Sequence, residues 1–187
     1  MTPKRDQALG AAQRLLNVDA AAPMAAIADA AGISRATLHR HFPTREKLLT
    51  ELGTRSLDRW QERLDAGSVE EVATSGDADL IAGTISELVR GYVEDAHDFG
   101  FALTDHVILA DSSLIERTEH LTSREATLWA AGQQAGVLRG DLPARWICHA
   151  VYGLLVAGRE ASRQGDVAPR ELAGLVLSTF LKGAESR

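Results

Sequence analysis

The sequence predicts an all-α protein of about nine helices. Three observations carry this reading: apolar residues recur at helical spacing along the chain, no stretch shows the period-two alternation of a half-buried strand, and each of the five prolines stands just ahead of a helix-like run. Proline suits the first turn of a helix, where its missing N–H would have no intrahelical partner. The pattern predicts helices over residues 3–18, 23–30, 34–41, 44–66, 78–97, 100–110, 112–136, 143–165 and 168–184, and it leaves Gly67 to Asp77 as a weak connecting segment.

The first helix is amphipathic and opens on Pro3. The second and third carry the most distinctive pattern in the chain, MAAIADAAGISRATLHRH from Met24 to His41. Met24, Ile27, Ala28 and Ala31 make one apolar stripe, Gly32 permits a sharp turn, and Ser34 is placed to cap the helix that follows. This is a helix-turn-helix. Ile33, Leu38 and Phe42 anchor the third helix inward, which leaves Arg35, Ala36, Thr37, His39, Arg40 and His41 outward or beside the seam. Donors and a small residue on a supported helix suit a DNA major groove, where Arg reads guanine and a Thr methyl touches thymine. A solvated helical hairpin within a bundle is the competing reading.

Charge is unevenly distributed. The whole chain carries −6 at neutral pH, yet residues 1–50 hold seven Lys/Arg against four Asp/Glu, while the rest hold thirteen against twenty-two. The head is therefore +3 and the body −9, the asymmetry expected when one end approaches phosphates. A length of 187 residues accommodates a head over 1–50 and a body over 51–187. Cys148 is the only cysteine, no apolar run is long enough to span a bilayer, and the first ten residues lack the apolar core of a signal peptide, so a cytoplasmic location is expected.

From Ala8 to Leu49 the sequence resembles the DNA-binding head of TetR-type transcriptional regulators. The shared pieces are Ile27, Ala28, Ala31, Gly32, Ile33 and Ser34, followed by Thr37, Leu38, His41, Phe42, Thr44, Arg45, Glu46, Leu48 and Leu49. His39 stands where the family usually has Tyr, and the connection before Met24 is about two residues short. The resemblance implies a DNA-reading set of Ser34, Arg35, Ala36, Thr37, His39, Arg40, His41 and Lys47, the last acting on phosphate. It also implies a homodimer on a double-stranded operator, released by a small molecule bound in the body, with repression as the common outcome. A small-molecule carrier with a vestigial head is the alternative.

The last two helices each carry an apolar face with little bulk. Ile147, Val151, Leu154, Leu155 and Gly158 on one, and Leu172, Val176 and Phe180 on the other, suit either a four-helix dimer interface or intramolecular core. The resemblance implies the dimer. In the middle helices Trp60, Tyr92, Phe101, His106 and Trp129 concentrate the scarce aromatic and imidazole groups, and they suit either ordinary core or an effector pocket for a largely apolar ligand.

No catalytic motif is present: the chain has no G-x-S-x-G, no Gly-rich phosphate loop and no H-E-x-x-H. Glu94 and Asp95 point about 100 degrees apart on a helix and do not converge. His97, Asp98, Asp105 and His106 match no compact zinc spacing. Neither enzyme chemistry, cofactor nor metal is expected.

Overall fold

The computed structural model describes residues 3–184, and among these every regular element is helical. There are ten α-helices: α1 Pro3–Val18, α2 Met24–Ala30, α3 Arg35–His41, α4 Arg45–Ala66, α5 Val69–Ser75, α6 Ala78–Phe99, α7 His106–Ala110, α8 Ser112–Gln134, α9 Ala144–Gln164 and α10 Pro169–Ala184. A 3-10 turn over Gly100–Leu103 precedes α7. None of the described helices is long and apolar enough to cross a membrane.

Two apolar cores organise the chain. The first gathers Ala8, Leu9, Ala12 and Leu16 of α1 with Ile27 and Ala28 of α2, Leu38 of α3, Phe42, and Leu48, Leu49 and Leu52 of α4. Its floor comes from further along the chain, in Phe101 and Ala102 of the 3-10 turn, Ile108 of α7 and Leu114 of α8. The second core joins Leu64 of α4 to Ile81, Ile85, Leu88 and Tyr92 of α6, Leu121, Leu128 and Trp129 of α8, Ile147 and Val151 of α9, and Val176 and Phe180 of α10. α4 runs 22 residues, about 33 Å at 1.5 Å per residue, and contributes to both.

The helix starts follow capping chemistry rather than the prolines alone. Pro3 and Pro169 are first helical residues, Pro23 and Pro143 occupy the cap position itself, and Pro43 stands one residue before the Thr44 cap. α2 has no side-chain cap; instead the Arg45 guanidinium reaches back to the carbonyls of Ala20 and Ala22 and fixes the short turn ahead of it. Gly32 sits at φ +63°, with open space where a Cβ would be, so the corner requires glycine for its backbone angle and not for room.

Two expectations are corrected. The segment expected as a connection contains α5, whose seven residues are held by tertiary contact: Val69 and Val72 are buried, and Arg124 of α8 pairs with Glu70 at 2.5 Å and with Asp65 of α4 at 2.8 Å. The helix expected over 100–110 is broken. Asp105 caps a new helix by accepting from the Val107 and Ile108 amides at 2.9 and 3.2 Å, which ends the 3-10 turn and starts α7.

Candidate nucleic-acid interface and body core

The exposed face of α3 is assembled by one cap and two buried anchors. Ser34 Oγ accepts from the Thr37 amide at 3.1 Å and lies 2.9 Å from Thr37 Oγ1, which pins the first turn of α3. Leu38 and Phe42 are buried and orient the rest of the helix. Ser34, Arg35, Ala36, His39 and Arg40 are thereby exposed, as is Lys47 on the first turns of α4. Thr37 is half-buried. His41 is also half-buried, with its ring tilted against Phe42 at 6.4 Å. Among the described residues, Arg35, Arg40 and Lys47 form no ion pair, so their charge is not neutralised within the chain. Arg5, by contrast, is held over the Phe42 ring at 5.2 Å and paired with Glu51 at 3.0 Å.

The five residues expected to share a body pocket separate into three places. Trp60, Tyr92 and Trp129 come together in the second core: Trp60 Nε1 donates to Tyr92 Oη at 3.1 Å with the rings edge to face, and Trp129 is fully enclosed with its ring 5.7 Å from Phe180. Phe101 lies instead in the floor of the first core. His106 is exposed on α7, because the Asp105 cap turns the start of that short helix outward.

At the centre of the second core stands a residue that the sequence motifs do not single out, Glu125. It is 3% exposed. Burial raises its carboxyl to about pKa 7, offset in part by the Tyr92 hydroxyl, the Cys148 thiol and the Trp129 indole that face it. Burial likewise pushes Tyr92 well above the usual phenol range and raises Cys148, and the charge of Glu125 adds to both shifts. Trp129 Nε1 is buried and completes no hydrogen bond. A signal existed in the sequence, since Leu121, Glu125, Leu128 and Trp129 recur at helical spacing, which puts a carboxylate on an otherwise apolar stripe.

Most of the residues expected at a dimer interface serve the core of their own chain. Ile147, Val151, Gly158, Val176 and Phe180 are buried within one chain, and Leu154, Leu155 and Leu172 pack against the same core. A Cβ on Gly158 would lie 2.9 Å from Leu172 Cδ1 and 3.3 Å from Val176 Cγ2, so this glycine serves the close approach of α9 to α10 of its own chain. The opposite faces of the two helices are exposed. They carry Trp146 (56% exposed) and Leu175 (48%), with Gly153 and Gly174 open to solvent.

Residues 9–52 match the family described as bacterial regulatory proteins, tetR family. The chain is 29% identical over 180 residues to the HTH-type transcriptional repressor LfrR of Mycolicibacterium smegmatis, covering 94% of this chain and 87% of that one. Its fold is similar to the crystal structure of the TetR-like regulator LfrR from Mycobacterium smegmatis in complex with proflavine, with a TM-score of 0.73, 23% identity and 96% of each chain covered. It is similar also to AibR in complex with isovaleryl coenzyme A and operator DNA, with a TM-score of 0.71 at 15% identity over 94% of this chain and 97% of that one.

Proposed function

The chain belongs to the TetR family of bacterial regulatory proteins and is a DNA-binding transcriptional regulator; from that premise we propose that it acts as a homodimeric repressor released from its operator by a small molecule held in the body. The observation that carries this reading is the α3 face: Arg35 and Arg40 are exposed, unpaired and carried on a helix whose start and inward side are fixed. Such a helix enters a major groove with its guanidinium groups at base edges. Ser34, Ala36 and His39 lie on the same exposed side, Thr37 and His41 flank it, and Lys47 meets the phosphate backbone.

In this reading residues 1–50 grip DNA and residues 51–187 sense and assemble. One head covers one half-site, so two copies related by a twofold axis are needed for half-sites about 34–36 Å apart. The exposed α9 and α10 face with Trp146, Gly153, Gly174 and Leu175 is the surface for that pairing. LfrR with proflavine and AibR with isovaleryl coenzyme A and operator DNA are solved examples of this fold holding a ligand, and they support the same division of labour here. Effector binding favours a head separation that no longer fits successive grooves, and only a difference in effector affinity between the two arrangements can drive it.

The test is titration of the purified protein onto the DNA flanking its own coding sequence over a range of salt. Affinity should be sequence-specific and should fall linearly on logarithmic axes with salt, with a slope set by the phosphates contacted. Salt-insensitive or absent DNA binding would leave a carrier protein as the better account.

A further inference from the structure

The head carries a cavity of about 290 Å³ between α2, α3 and the start of α4. Its floor is apolar, made by Met24 and Ala25 of α2, Leu38 of α3 and Pro43. Its rim is basic: Arg35 and His39 stand one turn apart on the exposed side of α3, and Arg45 opens α4. Among the described residues, no carboxylate lines it. The Arg45 guanidinium is held by the carbonyls of Ala20 and Ala22, which fix its position and leave its charge in place. Thr44, on the same rim, accepts from the Lys47 amide at 3.2 Å and closes the first turn of α4, so the positive end of a 22-residue helix also lies at the cavity. An apolar floor under a cationic rim fits one phosphodiester of a DNA backbone together with its sugar.

His39 is the member of this rim whose charge is not permanent. Guanidinium groups stay protonated throughout, whereas imidazole is the side chain that gains charge near neutral pH. We propose that operator binding is proton-linked through His39: the cavity takes one backbone phosphate of each half-site, and the imidazole takes up a proton as that phosphate arrives. The inference rests on the reading of the chain as an operator-binding regulator and adds a control on that binding. It is particular to this chain, since the tyrosine usual at this position in the family offers a hydroxyl and never becomes a cation.

The groups around the cavity set the sign of the effect. α2 presents Met24 and Ala25, α3 presents Arg35, and α4 presents Arg45 behind the Thr44 cap, so the charged groups facing the imidazole are both cations. With no acid on the rim, the arriving phosphodiester is the anion available to pair with an imidazolium. His41, two residues along α3, lies against Phe42 and does not line the cavity. A proton taken up on binding makes affinity rise as the pH falls, and two heads on one operator double the dependence.

The experiment titrates the full-length protein onto the DNA flanking its own coding sequence at pH 6 and pH 8, each over a range of salt, for the wild type, His39→Gln and His39→Arg. The wild type should bind at least about tenfold more tightly at pH 6, with a salt slope steeper there by about two, one for each phosphate newly neutralised. His39→Gln should change by about twofold or less between the two pH values and keep one slope. His39→Arg should show the steep slope at both, because its charge is permanent. Glu125, whose carboxyl also titrates near neutral pH, is present in all three proteins, so a pH effect arising in the body would persist in both variants. A flat pH series in the wild type, or a pH response retained in His39→Gln, would overturn the proposal while specific DNA binding kept the regulator reading intact. The wild-type slopes need no variant and stand even if a substitution disturbs folding. Absence of sequence-specific binding at both pH values removes the regulator, and this inference with it.

Discussion

Among the described residues Arg35 and Arg40, on the exposed side of α3, form no ion pair, whereas Arg5 and Arg45 are engaged in holding the head together. Arg35→Ala or Arg40→Ala should therefore relax sequence preference at one base step per half-site, at about 1–3 kcal/mol for each bidentate hydrogen-bonded pair removed. Competition binding against single-base operator variants reads this directly. Lys47→Ala should weaken all sequences alike and lower the salt slope by about one. At Glu125 the folded-state pKa is raised from 4.5 to about 7, so the penalty of the buried charge grows as the pH climbs between those values and is complete above the upper one. Wild-type stability should accordingly decline by about 3 kcal/mol between pH 4.5 and pH 8, while Glu125→Gln stays level by comparison. Thermal melts across that range check the sign: a wild type that gains stability with pH would mean the carboxyl has a cationic partner. The exposed face of α3 was legible in the sequence because a cap, a corner and anchors at fixed spacing determine it locally. Glu125 was harder to see, since its meaning depends on Tyr92 and Cys148, which lie 33 residues before it and 23 after it.

At the scale of elements, the long helices were readable, as were the short α2 and α3 with their corner and cap, whereas α5 and the break before α7 were not. α4, α6, α8 and α9 each repeat their apolar stripe over several turns, while α5 offers only Val69 and Val72 and depends on Arg124 of α8 to define it. The break before α7 turns on Asp105 accepting two amides, a choice between local hydrogen bonds that periodicity does not register. One inter-element tie has a functional consequence. The Asn17 side chain, at the end of α1, donates to the carbonyls of His97, at 2.9 Å, and Asp98 on α6, and accepts from the Phe101 amide at 3.3 Å. It thus joins the head to the end of the helix that carries Tyr92. Asn17→Ala should leave operator affinity within about twofold yet raise the effector concentration needed for release by about fivefold or more, the lower end of ordinary coupling energies. Release curves on operator DNA would show it, and an unshifted midpoint would place the coupling elsewhere.

For the whole molecule, assembly was the hardest property to read, because a helix face rich in small residues serves an internal and an external neighbour equally well. Gly158 illustrates this: Leu172 of its own chain occupies the space above it. The surface left for a partner is the outward side of α9 and α10, so Trp146→Glu should convert a dimer into a folded monomer with operator affinity reduced by at least about tenfold. Sedimentation of the variant as an intact dimer would move the interface away from Trp146. The two cores carry a further consequence, for modularity. Phe101, Ala102, Ile108 and Leu114 close the underside of the head, although they belong to sequence far beyond its last helix-turn-helix residue. A peptide of residues 1–50 alone would expose that underside, so it should give broad amide spectra and a shallow melt. Exchanging heads between relatives by a cut in α4 would then fail wherever the new underside does not fit, and a chimera that works must carry the Gly100–Leu114 segment along with its own DNA-reading end.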